Sequence, residues 1–199
     1  MKSENETFDK YVFHEPLSEN VMAYVTDIWL KAYQDIKGNP AINYLEIGVG
    51  EGRSFFWMLD NIVTSESSQA IAIDPYELYM AGTTHVQHRF LHNLKASGLE
   101  RKVTFINDFS QNQLHNLEKD FFDVILIDGH LDAPQVIRDL DGCLPLLKTG
   151  GFITLDDYLW KSHSPEMTSP QDSVDNWLKK HPELVILHRS YFILARKIT

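Results

Sequence analysis

Two stretches decide the fold: FDVILIDGH at 122–130 and GGFITLDDY at 150–158. Both are continuous apolar runs of strand length, the pattern of a strand buried on both faces. Both end abruptly in carboxylates, Asp128 in the first and the pair Asp156 and Asp157 in the second. Acids at the tips of two buried strands pose the question that the rest of the chain has to answer.

Outward from these, INYLEIGVG (42–50), AIAID (70–74), KVTFI (102–106), ELVILHR (183–189) and YFILARK (191–197) repeat the strand pattern. Helical stretches fall between them, at 53–63, around 86–98, near 111–120, over 133–147 and over 173–180. Near the N-terminus, Val21, Val25, Ile28, Trp29, Ala32 and Ile36 recur at helical spacing, with Ser18 as a cap before them and Gly38 just after. Strands alternating with helices mean a mainly parallel sheet covered on both faces, a three-layer α/β domain. The last two strands read as an antiparallel hairpin around Ser190.

The chain has 199 residues, 43% of them hydrophobic, with no repeats and no Pro-, Gly- or Ser-rich linker, so one domain is expected over 1–199. Residues 1–40 form a helical extension to a core at 41–199. The formal charge of -10 opposes unspecific attraction to nucleic acid or anionic lipid, which makes small molecules the expected partners. Cys143 is the single cysteine, so neither an intrachain disulfide nor a thiolate zinc cluster is expected. No apolar run is long enough to span a membrane, and MKSENETFDK is not an export signal, so a cytoplasmic location is expected.

In a sheet of this kind ligands sit beyond the carboxyl ends of the strands. The first such end reads LEIGVGEGRS (45–54), with Glu46 followed by Gly48, Gly50 and Gly52. Glycines there let the chain turn sharply and bring a ligand close to main-chain N–H groups. The second strand ends in Asp74, placed to accept bonds from the hydroxyls of a ribose. A dinucleotide fingerprint would want G-x-G-x-x-G, but Arg53 occupies the third glycine position. Glu46 and Glu51 would also repel a diphosphate and attract a sulfonium, so the loop favours S-adenosylmethionine.

With these motifs in place, YLEIGVGEGRS, AIDP, FLHNLKASGLERKVTFINDFSQNQL, FDVILIDGH and LLKTGGFITLDDY together resemble a class I S-adenosylmethionine-dependent methyltransferase, from about residue 42 to the C-terminus. The IDGH and DDY pair is similar to the small-molecule O-methyltransferases of the macrocin and caffeoyl-CoA type, and to the related cephalosporin-hydroxylase proteins. The resemblance implies a Rossmann-like fold with seven strands, mainly parallel, ending in the hairpin. It implies that Glu46, Gly48, Gly50 and Gly52 hold the methionine part of the cofactor. Asp74 would bind the ribose, and Asp108 would lie near the adenine amine. In metal-dependent relatives the positions of Asp128, Asp156 and Asp157 bind a divalent ion, expected here to be magnesium or manganese, which places Asp128 beside the cofactor as well.

Elementary physics agrees with a cation, because adjacent strands lie about 4.8 Å apart and converging carboxylates repel unless compensated. The expected reaction is O-methylation of a small-molecule hydroxyl, with Asp128 and His130 as catalytic residues and His130 as the base. Several relatives have a lysine where this chain has Leu131, which leaves the base open. Other readings stand beside these. Asp156 and Asp157 could be a solvated strand end, and both reach one ion only if the chain turns there. Asp108 could cap the next helix, and His130 could merely precede a helix capped by Asp132. His85, His88 and His92 share one helical face but read as surface histidines. Tyr158, Trp160 and the loop after them would choose the acceptor, and the N-terminal helix could cover the acceptor pocket or pair with a second copy. A metal-dependent oxygenase and a non-catalytic cofactor-binding module are the alternative functions.

Overall fold

The computed structural model describes residues 10–14, 19–76, 84–161 and 166–199. Its elements run α1 (Glu19–Ala32), β1 (Asn43–Ile47), α2 (Arg53–Asn61), β2 (Gln69–Ile73), α3 (Thr84–Ser97), β3 (Val103–Ile106), α4 (Ser110–Gln113), β4 (Phe122–Ile127), α5 (Ala133–Cys143), β5 (Leu147–Leu155), α6 (Gln171–Lys180), β6 (Leu184–Arg189) and β7 (Ile193–Lys197). The seven strands form one sheet in the order β3-β2-β1-β4-β5-β7-β6. Strands β1 to β5 pair in parallel, and β7 pairs antiparallel with both β5 and β6. The mainly parallel α/β sheet and the C-terminal hairpin are therefore as the sequence pattern predicts, and the seven Rossmann-like strands are as the resemblance implies.

Period-two alternation sorts the strand residues into two cores. Tyr44, Ala72, Val124, Leu126, Phe152 and Leu194 pack on the side of α1, α2 and α3. Leu45, Ile73, Ile125, Ile127, Ile153 and Ile193 pack on the side of α5 and α6. Helix α1 is bound into the first core, because Trp29 lies 5.4 Å from the Trp57 ring and the Tyr33 hydroxyl meets Thr154 Oγ1 at 3.0 Å.

Helix limits differ from the sequence pattern where local chemistry intervenes. The α-helical ladder of α1 stops at Ala32, and turns continue to Gly38, whose φ is 73°. The helix expected over 133–147 stops at Cys143, because Pro145 has no N–H to continue the ladder, and a 3-10 turn finishes it. Ser18, expected as the cap of α1, lies outside the described residues. Among the described residues no helix is long and apolar enough to cross a membrane.

The sheet order reverses between β1 and β4, with β2 and β3 on one side and β5 on the other. A crevice opens at the carboxyl ends of strands flanking such a reversal. The site is built there.

Candidate active site

The loop after β1 is shaped by its glycines for different reasons. Gly48 has φ 80°, and a Cβ on it would lie 2.1 Å from the Asp128 carbonyl oxygen and 2.6 Å from Gly129 Cα, so only glycine lets the β1 and β4 ends approach. Gly52 has φ 88°, and a Cβ there would meet the Phe56 ring at 2.3 Å, which makes it a packing glycine. The Gly50 N–H donates to Asp74 Oδ2 at 2.9 Å. Tyr76 N–H donates to Asp74 Oδ1 at 2.8 Å, and the Tyr76 hydroxyl donates to the Gly50 carbonyl at 2.8 Å. Asp74 thus organises the loop. Burial raises its carboxyl above the ordinary range, while the amides of Gly50, Tyr76 and Val49 pull it back.

The two acids whose charge favours a sulfonium are committed elsewhere. Glu46 is fully buried and accepts from the hydroxyls of Tyr44 and Ser54, the latter at 2.5 Å. Burial is the largest cause that pushes its carboxyl up to about 8, opposed by those two hydroxyls and aided by Asp74 and Asp156. Glu51 pairs with Arg89 and accepts from the His14 N–H at 2.6 Å.

At the reversal lies a cavity of about 600 Å³ bordered by Gly48, Asp74, Ser110, Asp128, His130 and Asp139. Such a volume falls within the range of small-molecule and cofactor pockets. Ile73, Pro75, Phe109, Leu131 and Met167 supply apolar wall between the polar groups. Of the residues expected at the cofactor, Gly48, Asp74 and Asp128 border this cavity, whereas Glu46, Gly50, Gly52 and Asp108 do not line it. The Asp108 carboxylate is occupied on α4, accepting from Phe109 N–H at 2.7 Å, Asn112 at 2.9 Å and Gln113 at 2.6 Å. Those donors, Asn112 first, hold it below its ordinary value.

His130 borders the cavity, and its Nδ1 accepts the Asp132 N–H at 3.1 Å. Asp132 occupies the N-cap position of α5, but its carboxylate accepts from the Thr168 N–H at 2.7 Å instead of capping the helix. Deeper in the cavity wall, Asp139 is 1% exposed, and its Oδ1 accepts from Ser110 Oγ at 2.5 Å and Gln135 Nε2 at 3.0 Å. Burial raises the Asp139 carboxyl, against the pull of Ser110 and Gln135. Nothing in the sequence pattern singles Asp139 out, because it sits one helical face within an ordinary amphipathic stretch.

The strand-end acids form a second feature. Asp157 has φ 52°, so the chain does turn at the DDY tip, and Asp156 Oδ1 accepts the Asp157 N–H at 2.8 Å. Burial, then the neighbouring Asp157 charge, raises Asp156 to about 6. The Tyr191 hydroxyl bonds to Asp157, and burial followed by this bond and the charges of Asp157, Asp156 and Asp128 pushes it up to about 12. Of the three acids, Asp157 bonds to this tyrosine, and the charges of the other two act on it. Among the described residues no three His, Cys, Asp or Glu side chains are arranged to hold a metal ion. A magnesium ion on Asp128, Asp156 and Asp157 is not shown; Asp156 Oδ1 accepts from the neighbouring backbone and Asp157 is bonded to Tyr191. His85, His88 and His92 lie exposed on α3, outside the face that buries Val86, Phe90 and Leu94.

Comparison with known proteins places this geometry in context. A family described as Methyltransferase domain matches residues 45–158. The tapetum-specific methyltransferase 1 of Arabidopsis thaliana is 32% identical over 123 residues, which is 60% of this chain and 48% of that protein. The chain therefore spans about half the length of the curated relative it matches. An O-methyltransferase from Bacillus cereus, solved in complex with SAH, superposes with a TM-score of 0.64 at 16% identity, covering 93% of this chain and 84% of that one. The O-methyltransferase TomG from Streptomyces achromogenes, involved in tomaymycin synthesis and solved with SAM, gives 0.66 at 15% identity, covering 92% and 82%. At those identities the likeness is one of fold.

Proposed function

This chain belongs to the methyltransferase-domain family, and on that premise we propose that it transfers a methyl group from S-adenosylmethionine to a hydroxyl of a small molecule. The observation that carries the reading is the cavity at the sheet reversal, bordered by Gly48 at the end of β1, Asp74 at the end of β2 and Asp128 at the end of β4. When bound, the cofactor supplies a methyl group on a positively charged sulfur, which an oxygen nucleophile can take. The protein's part is to hold and to orient. The Gly48 turn gives close backbone approach, and Pro75, Leu131 and Met167 give the cofactor apolar wall. Asp128 borders this cavity, and its charge acts on the Tyr191 hydroxyl beside Asp157, which supports an acceptor position between them. Its carboxylate orients the acceptor hydroxyl and takes its proton as the oxygen attacks. Asp156 and Asp157 add negative charge on the acceptor side. No step is assigned to a metal ion; were one bound, Asp128, Asp156 and Asp157 are the residues that would hold it.

The test separates binding from chemistry. Calorimetric titration with S-adenosylmethionine and S-adenosylhomocysteine should give saturable one-site binding. A screen of catechols, hydroxylated sugars and related alcohols, read by mass, should then yield an O-methylated product. Asp128→Asn should leave S-adenosylhomocysteine affinity within about tenfold while lowering methyl transfer on the order of 100-fold. Absence of binding by the wild type would remove the methyltransferase activity, and methylation undiminished in the variant would remove Asp128 from it.

A further inference from the structure

Residues 10–14 belong to no helix or strand, yet they are fastened along their length to α2 and α3. Lys10 Nζ stands 3.1 Å from Asp60 Oδ1, and the Tyr11 hydroxyl donates to Asp60 Oδ2 at 2.9 Å. The Tyr11 ring stacks on Phe56 with centroids 4.8 Å apart, and the Arg53 guanidinium lies 4.4 Å from the centre of the Phe13 ring. Between these anchors the fully buried Asn93 of α3 takes the place of a neighbouring strand. Its Oδ1 accepts the Val12 N–H at 2.8 Å, and its Nδ2 donates to the Val12 carbonyl at 3.0 Å.

The same amide reaches the glycine loop. Asn93 Nδ2 gives its second proton to the Glu51 carbonyl at 3.0 Å. The Glu51 carboxylate accepts the His14 N–H at 2.6 Å and pairs with Arg89, also on α3. Glu51 stands between Gly50 and Gly52, both at positive φ, and the Gly50 N–H donates to Asp74 Oδ2, on the cavity wall. A continuous chain of bonds thus runs from residues 10–14 through the loop to the cavity. Gly48, Gly50 and Gly52 leave this loop much conformational entropy, and a ligand that needs one loop shape binds more weakly unless that shape is already held.

We propose that residues 10–14 are a latch on the glycine loop, with Asn93 as the positioning residue that joins the two, so that seating of the latch and occupation of the cofactor cavity strengthen one another. The inference rests on the S-adenosylmethionine reading above and adds a coupling from outside the cavity. Neither residues 10–14 nor Asn93, Glu51 and Arg89 border the cavity, so their effect on the ligand is carried through the loop. Such coupling is reciprocal: the factor by which the ligand tightens the latch equals the factor by which the latch tightens the ligand.

The deciding experiment is amide hydrogen exchange of the full chain, read over residues 10–14 with and without saturating S-adenosylhomocysteine. In the wild type the ligand should slow exchange at Val12 and His14 by at least about fivefold, the low end of ordinary coupling between sites. Asn93→Ala should weaken calorimetric binding of S-adenosylhomocysteine by a similar factor and abolish the ligand's effect on that exchange. Tyr11→Phe, which removes the bond to Asp60 and leaves Asn93 and Glu51 in place, should weaken binding in the same direction and by less. An Asn93 with a structural role alone would lower the melting temperature and leave both the affinity and the ligand's effect on exchange unchanged. Exchange over residues 10–14 that is equal with and without bound ligand overturns the proposal, and this wild-type comparison decides even if Asn93→Ala does not fold. A wild type that binds no S-adenosylhomocysteine by calorimetry is a different outcome, since it removes the cofactor reading and this inference with it.

Discussion

Glu46 shows how little a residue's type says about its task. It is sealed from solvent with two hydroxyls on its carboxylate and its pKa pushed up to about 8. Because the folded-state value lies above the ordinary 4.5, the fold binds this proton more tightly than the unfolded chain does. The stability it contributes is full below the ordinary carboxylate range and is lost as pH rises through the folded value, at a cost on the order of a few kcal/mol once ionised. Glu46→Gln removes the titration. Its melting temperature should therefore fall less than that of the wild type between about pH 5 and about pH 9, and parallel curves by calorimetry would show that Glu46 does not titrate in this window. The acid was legible in LEIGVG, and its place at a strand end follows from the pattern. Its partner Tyr44 lies two residues earlier on the same strand face, a pairing that the sequence reading did not draw. What the sequence could not show is that α2 brings Ser54 onto the other oxygen, or that Asp139 on a plain amphipathic helix would border the cavity. Such contacts depend on helix rotation over the sheet, which side-chain spacing within one element does not set.

At the scale of elements, the hairpin contributes what the strand-end acids alone would not. Strand β7 runs antiparallel to β5 with Leu155 opposite Ile193. That register carries the β6–β7 turn to the carboxyl end of β5, so Tyr191 meets Asp157. The hairpin around Ser190 was readable from two apolar runs flanking it, but its register was not, because a one-residue slip would have turned Tyr191 to the other face. The acids at the ends of β4 and β5 were likewise readable, whereas the φ of 52° at Asp157 that turns them together is a backbone conformation no residue other than glycine announces. Tyr191 is half exposed, so its hydroxyl adds little to stability. Tyr191→Phe should leave the melting temperature within about 3 °C and S-adenosylhomocysteine affinity within about twofold. It should slow methyl transfer by about tenfold if the hairpin borders the acceptor as the convergence on Asp157 indicates. Steady-state kinetics equal to those of the wild type would place the hairpin outside the site.

At the scale of the whole molecule, the cavity draws walls from both halves of the sheet. Gly48, Asp74 and Ser110 come from the β1-β2-β3 side, while Asp128, His130 and Asp139 come from β4 and α5. A ligand filling it contacts groups that are brought together only in the folded chain, so it binds the native state and has no site in the unfolded one. Linkage then requires stabilisation that grows with the logarithm of ligand concentration, about 2.7 kcal/mol at 100 times the dissociation constant. For a chain of this size that is a rise in melting temperature of roughly 5–10 °C, seen as one cooperative transition because the two halves share one sheet. Magnesium enters as a separate term. Asp156 and Asp157 do not border the cavity, Asp156 Oδ1 accepts from the Asp157 amide and Asp157 bonds to Tyr191, so an ion there would sit apart from the cofactor cavity. Thermal shifts with S-adenosylhomocysteine should therefore agree with and without millimolar magnesium or a chelator. A shift that appears only when magnesium is present would mean that the acids rearrange around the ion, with Tyr191 displaced from Asp157, and that the cavity becomes competent only in that second arrangement.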